Sequence, residues 1–280
     1  MGGDIKNLRA RIKSVDSTLH LTSAMGLVAS SKIRRAGTAM QHGRQYADAL
    51  GDTVQTLASS PECRRSPYMQ PRDGAPETVI VIAGDRGLAG GYNANAFRAC
   101  DALLSEISER GGESRVIPIG KRACDRYGVA AAESFASSER ITYAEVRALA
   151  ERLCSSFTAG ECSRVHIVST AFVSMMKQEA GTGTLLPLSP DGAERHCGCV
   201  LYEPDGAAVL DTLVSEYVAG RIYAAVKESF ASEVAARRMA MDSAEKNAKQ
   251  MIFDLQLSYN RARQSAITQE ITEIVAGSGD

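Results

Sequence analysis

Apolar residues recur along the first 58 positions in steps of three and four: Ile5, Leu8, Ile12, Val15, Leu19, Thr22, Gly26, Ala29, Ile33, Ala36, Met40, Gly43, Ala47, Leu50, Val54 and Leu57. Thirteen of these sixteen are apolar, with Thr22, Gly26 and Gly43 the exceptions. A repeat held over more than seven heptads predicts a coiled-coil seam rather than the face of a globular helix. Asp4 is placed to cap the N-terminus. One helix over residues 4–58 would run roughly 80 Å. Glycines 26, 37, 43 and 51 each weaken it by about 1 kcal/mol relative to alanine, a loss that close approach of a partner helix would offset.

The C-terminal stretch carries a second stripe: Met241, Ala244, Ala248, Met251, Leu255, Ala262 and Ser265, with Ser258 read as a polar break. Asp205 can cap this helix and Gly277 can end it. Residues 206–275 would extend roughly 105 Å, and such a helix cannot bury its stripe alone. The N-terminal helix is the simplest partner, in antiparallel pairing. The longer second helix should then overhang the first and leave Ile267, Ile271, Ile274 and Val275 at a tip that something must sheathe.

All eight prolines fall between Pro61 and Pro204. Both ends are therefore free of the residue that breaks helix interiors. Between them, strand patterns at Thr78–Ala83, Arg115–Ile119 and Arg164–Thr170 alternate with helical patterns at 96–110, 121–127 and 142–158. Cys199–Glu203 reads as an edge strand. This alternation predicts a mainly parallel sheet covered by helices. The expected organisation is a coiled-coil helix over 1–58, a linker over 59–77, an α/β domain over 78–205 and a second coiled-coil helix over 206–280.

Composition narrows the function. Hydrophobic residues make up 44% and charged residues 23%, with no Trp and 5% aromatics, a balance suited to long Ala- and Leu-rich helices. The net charge of −1 argues against a nucleic-acid binder. No run approaches the ~18 apolar residues of a membrane span, so no direct membrane insertion is expected. The start reads as neither a signal peptide, a myristoylation site nor a transit peptide. Seven cysteines without a Cys-x-x-Cys pair read as free thiols, and Cys197-Gly-Cys199 lacks the neighbours of a metal site.

Chemistry has one candidate location. Gly84-Asp85-Arg86-Gly87-Leu88-Ala89-Gly90-Gly91 follows the first strand and could cradle phosphate, yet it matches neither a P-loop nor Gly-x-Gly-x-x-Gly. A tight strand-to-helix turn, with Asp85 and Arg86 making local hydrogen bonds, is the simpler reading. His20, His42, His166 and His196 form no triad-like motif and read as structural. The cationic groups Lys32, Arg34 and Arg35, Arg237 and Arg238, and Arg261 and Arg263 are either a solvated face or a contact with an acidic partner surface. No catalytic cluster, metal site or cofactor is expected.

Three motifs carry a resemblance. Ile12-Lys13-Ser14-Val15, Thr22-Ser23-Ala24-Met25 and Val28-Ala29-Ser30-Ser31-Lys32, with Arg34-Arg35-Ala36, resemble the N-terminal helix of F-type ATP synthase gamma subunits. Asp85-Arg86-Gly87-Leu88-Ala89-Gly90-Gly91-Tyr92-Asn93 is similar to that family's central motif, and Leu257 to Gly277 to its C-terminal one. The resemblance runs nearly end to end. It implies an antiparallel coiled coil carrying a Rossmann-like domain, and a rotor shaft inside a hexamer of alpha and beta subunits. The epsilon subunit and a membrane ring of c subunits would lie at its foot. Proton flow would turn the ring and the shaft, and catalysis would stay on the beta subunits. It further implies shaft–hexamer contacts by Met25, Lys32, Arg35, Arg263, Gln264, Thr268 and Gln269, and a bearing around Ile267, Ile271, Ile274 and Val275. Asp85, Arg86, Gly87, Gly90 and Gly91 mark the central motif. Asp16, Ser23 and Gly26 depart from the charged residues common in the family, and Ala89 stands where Cys is common. The expected setting is the cytoplasmic face of a bacterial plasma membrane, with the matrix side of the mitochondrial inner membrane as the alternative. The rival functions are an α/β nucleotide-binding module, or a scaffold, carried on a coiled coil.

Overall fold

A computed structural model describes residues 2–131, 133–189, 202–203 and 205–277. Its elements are α1 (Gly2–Ala58), β1 (Glu77–Ile82), α2 (Tyr92–Glu109), β2 (Ser114–Ile119), α3 (Lys121–Tyr127), α4 (Tyr143–Thr158), β3 (Val165–Phe172), β4 (Gln178–Leu186) and α5 (Gly206–Gly277). The chain divides into two compact units, one of residues 1–30 with 237–280 and the other of residues 31–236.

In the first unit α1 and α5 pair antiparallel. The Ser23 hydroxyl bonds Glu245, and Gly26 lies against Arg238 and Met241. Ile5, Leu8, Ile12, Val15 and Leu19 are half-buried, and Thr22, Gly26 and Ala29 are buried. The stripe of α5 departs from its sequence reading. Its half-buried residues are Ile252, Leu255, Tyr259, Ala262 and Ala266, whereas Met251, Ser258 and Ser265 are exposed. Steps of four and three run unbroken from Ala248, so Ser258 is no break in the seam; Tyr259 carries it. Asp4 does not cap: α1 begins at Gly2, and Asp4 sits in the first turn, where its charge meets the positive end of the helix dipole.

In the second unit the same helices remain antiparallel, with Gly43 against Ala224 and Gly51 against Tyr217. A four-stranded sheet of order β2-β1-β3-β4 packs on them. β1 pairs parallel with β2 and β3, and β4 closes one edge antiparallel to β3. β1 is buried throughout because helices cover both faces of the sheet. Val79 and Val81 meet α2 and α3 through Cys100, Leu103, Ile107 and Ala123. Ile80 and Ile82 face α4, α1 and α5 through Leu149, Phe157, Val54, Leu210 and Val214. Thr142 and Glu145 form a reciprocal capping box at the start of α4.

Sequence pattern missed β4. Four of its residues in succession, Gly181 to Thr184, are exposed, and Gly181 and Gly183 interrupt it, so neither alternation nor an apolar run marks the strand. The edge strand read at Cys199–Glu203, and the pair Cys197 and Cys199, lie outside the described residues apart from Tyr202 and Glu203.

Candidate functional site

The glycine-rich turn is built around two side chains. Asn93 accepts from the Gly84 amide (2.9 Å) and donates to the Arg86 carbonyl (3.2 Å), stapling the turn to the start of α2. Asp85 reaches much further. It accepts from Ser137 Oγ (2.6 Å), Ser138 N (2.8 Å), Glu139 N (3.2 Å) and, more weakly, Lys121 N (3.4 Å). Asp85 is thus the anchor of the loop before α4, a longer-range role than the local bonding the sequence predicts. Burial pushes its carboxyl up, but the bonds from Ser137, Ser138, Glu139 and Lys121 outweigh this and hold it below the ordinary carboxylate range. A depressed folded value stabilises above the unfolded pKa and loses that contribution as pH falls through the folded one. Asp85→Asn imitates the acid limit, so amide exchange at Ser138 and Glu139 should accelerate at least tenfold at neutral pH while that of β1 stays unchanged. Equal protection in the variant would remove Asp85 from this role. Within the turn, Arg86 and Gly91 are exposed, Gly87 faces the Arg122 guanidinium, and Leu88 and Gly90 both take positive φ (59° and 57°).

Glu139 links this loop to α1. Lys32 Nζ donates to both its carboxylate oxygens (2.7 and 2.9 Å). Lys32 is therefore engaged inside the chain, a partnership 107 residues away that nothing in the sequence announces. Lys32 and Arg35 line a groove of about 480 Å³ with Ser31, Ala39, Lys227 and Phe230.

In the first unit Met25 is half-buried, while Leu21, Leu27 and Val28 beside it are exposed. On α5, Arg263 and Gln264 are exposed. Thr268 Oγ1 donates to the Gln264 carbonyl (3.0 Å), and Gln269 Nε2 donates to Glu273 Oε1 (2.9 Å). Ile267, Ile271, Ile274 and Val275 are 47%, 57%, 70% and 65% exposed. The structure thus places Arg263, Gln264, Thr268 and Gln269 on one exposed stretch of α5, and Lys32 with Arg35 at one groove.

His166, Cys100 and Cys154 are structural. His166 bonds Glu77 (2.8 Å) and Thr184 (3.2 Å) between β1, β3 and β4. Burial pushes the Cys100 thiol up to about 11 and Cys154 up to about 12, which leaves both unreactive near neutrality. Among the described residues no group of three His, Cys, Asp or Glu side chains gathers as metal ligands, and no helix is long and apolar enough to cross a membrane.

A four-stranded α/β domain carried on two long antiparallel helices is the class of protein defined by this geometry. The sequence profile of the ATP synthase family matches residues 4–279. The ATP synthase gamma chain of Geotalea uraniireducens (strain Rf4) is 36% identical over 281 residues, covering 98% of this chain and 97% of that one. In the Euglena gracilis mitochondrial ATP synthase, a chain of the OSCP/F1/c-ring structure in rotational state 3 superposes with a TM-score of 0.69 at 17% identity, covering 99% of this chain and 94% of its own. A chain of that enzyme's rotor in rotational state 1 gives 0.65 at 17%, covering 95% and 100%. The chain belongs to the ATP synthase gamma-chain family.

Proposed function

We propose that the chain does no bond chemistry and transmits rotation between a membrane ring of c subunits and a hexamer of alpha and beta subunits, with epsilon beside the α/β domain. Proton flow turns the ring, and the ring turns the shaft. An asymmetric shaft presents a different face to each beta subunit, and only such differential contacts can bias beta between open and closed states. Met25, Lys32, Arg35, Arg263, Gln264, Thr268 and Gln269 are the proposed contacts with the hexamer. Lys32 would make its contact from within the pair it forms with Glu139. Ile267, Ile271, Ile274 and Val275 would turn in an apolar bearing. The central motif, Asp85 to Gly91, would brace the α/β domain.

The observation that carries this reading is the exposure of those four apolar side chains at the end of α5, from 47% to 70%. A row of isoleucines held in water is the signature of a partner surface. The rival reading, a nucleotide-binding module, would need an open crevice at Gly84, and a side-chain atom of Glu233 lies 2.7 Å from where a Cβ on Gly84 would stand. The proposed setting is the cytoplasmic face of a bacterial plasma membrane, with the matrix side of the mitochondrial inner membrane as the alternative. Domain limits of 1–58, 59–77, 78–205 and 206–280 remain the proposed functional division.

The test is purification of the tagged chain from its source. Alpha and beta subunits should co-purify, and the chain freed of both should not hydrolyse ATP. Robust hydrolysis by the alpha- and beta-free chain would overturn this reading.

A further inference from the structure

In α/β sheets of this kind, ligands bind in the crevice at the carboxyl ends of the strands where the chain order reverses. Here that point lies between β1 and β3, because β2 and β3 flank β1 on opposite sides. The last β1–β3 pair is Val81 with Val168, yet β3 continues to Phe172. Its next backbone groups on that edge need other partners.

α5 supplies them. Ser229 Oγ accepts from the Thr170 amide (3.0 Å), and Ser232 Oγ donates to the Thr170 carbonyl (3.2 Å). Glu228 Oε1 accepts from the Phe172 amide (2.9 Å). Ser229 and Ser232 are fully buried. One turn on, Glu233 is 2% exposed and fills the space beside Gly84: a Cβ there would stand 2.7 Å from its Cδ and 2.9 Å from Oε1. Tyr92, at the head of α2, is buried against the same group, and its hydroxyl bonds Ser229.

The geometry points to a key. The crevice that elsewhere holds a ligand is occupied by the shaft's own side chains, and Ser229, Ser232 and Glu233 are positioning residues that lock the α/β domain to α5 against turning. This rests on the shaft reading. It deepens that reading by naming where force passes between the domain and the helix.

The test uses assembled, reconstituted complexes of verified subunit content. Ser229→Ala with Ser232→Ala removes both bonds to Thr170 while keeping packing. The protons pumped per ATP hydrolysed should fall at least twofold, with hydrolysis itself retained. A merely structural role would lower both rates together, in step with assembled content, and leave the ratio unchanged; that result overturns the key. Gly84→Ala should produce the same loss of ratio, and adding Glu233→Asp, one methylene shorter, should restore it. Failure of that rescue also overturns the key. Should the serine variant not assemble, amide exchange in the full chain decides. Acceleration of at least tenfold at Thr170 and Phe172, with β1 unchanged, supports the key, and uniform acceleration overturns it. Failure of the shaft reading would show in wild-type complexes that do not pump. Failure of the key shows in the variants alone, and exchange reads the key without rotation.

Discussion

Gly120→Ala should destabilise the α/β domain more than any other single methyl addition. Gly120 closes β2 with φ of 96°, in the region that side chains other than glycine's rarely enter. A Cβ there would stand 2.1 Å from the Ala83 carbonyl oxygen and 3.0 Å from its carbon. That carbonyl cannot swing aside cheaply, because the Ala83 amide donates to Ile119 (3.0 Å) and the Gly120 amide to Phe135 (2.7 Å). Backbone strain and overlap together should cost about 3 kcal/mol or more. The midpoint of thermal unfolding should then fall by about 6 °C or more. Gly37→Ala is the control with opposite sign. It lies within α1 with no neighbouring atom within 4 Å of the added Cβ, so alanine should stabilise the helix by about 1 kcal/mol. The check is thermal unfolding of the full chain. A Gly120→Ala midpoint equal to wild type would refute the account of this turn.

The two helices were legible because a seam is a local pattern. Every position of the N-terminal stripe, from Ile5 to Leu57, is buried or half-buried. The parallel core strands were legible because burial on both faces writes a continuous apolar run, as in Val79–Ile82. β4 was not, because an exposed edge with two glycines writes no pattern. The α5 stripe slipped at Met251, since an apolar residue on either side of a four-residue step satisfies the eye equally well, and only packing chooses Ile252. Pairings between distant residues were out of reach. Lys32 with Glu139, and Asp85 with Ser138, join side chains whose meeting depends on the whole fold. One signal was present and unused. Glu228, Ser229, Ser232 and Glu233 crowd polar groups into a stretch of α5 whose helix is buried on nearly every side, and buried polar groups imply partners. The Gln269 side chain has a partner one turn on, in Glu273, at the i,i+4 spacing that the sequence already shows.

Replacing Arg263 and Gln269 together with alanine should leave the shaft as stable as before and slow coupled ATP synthesis about tenfold. Both side chains are exposed. The bond from Gln269 to Glu273 joins exposed groups one turn apart on the same helix, an interaction that contributes only about 0.2–0.5 kcal/mol. Alanine is also the best helix former, so its propensity offsets much of that loss. Thermal unfolding of the double variant should therefore match wild type. At an interface the balance differs. A guanidinium and an amide that bond a partner's polar groups make charge-assisted contacts, and losing them costs a few kcal/mol. A tenfold slower step needs only about 1.4 kcal/mol of that. The measurement is ATP synthesis and ATP-driven proton pumping by reconstituted complexes of verified subunit content. If assembly and both rates match wild type, Arg263 and Gln269 belong to a solvated face, and the proposed contacts at this end of α5 fall. If instead the variant shaft unfolds earlier, the in-helix bonds carry more stability than helix physics assigns them, and the loss of rate says nothing for the hexamer.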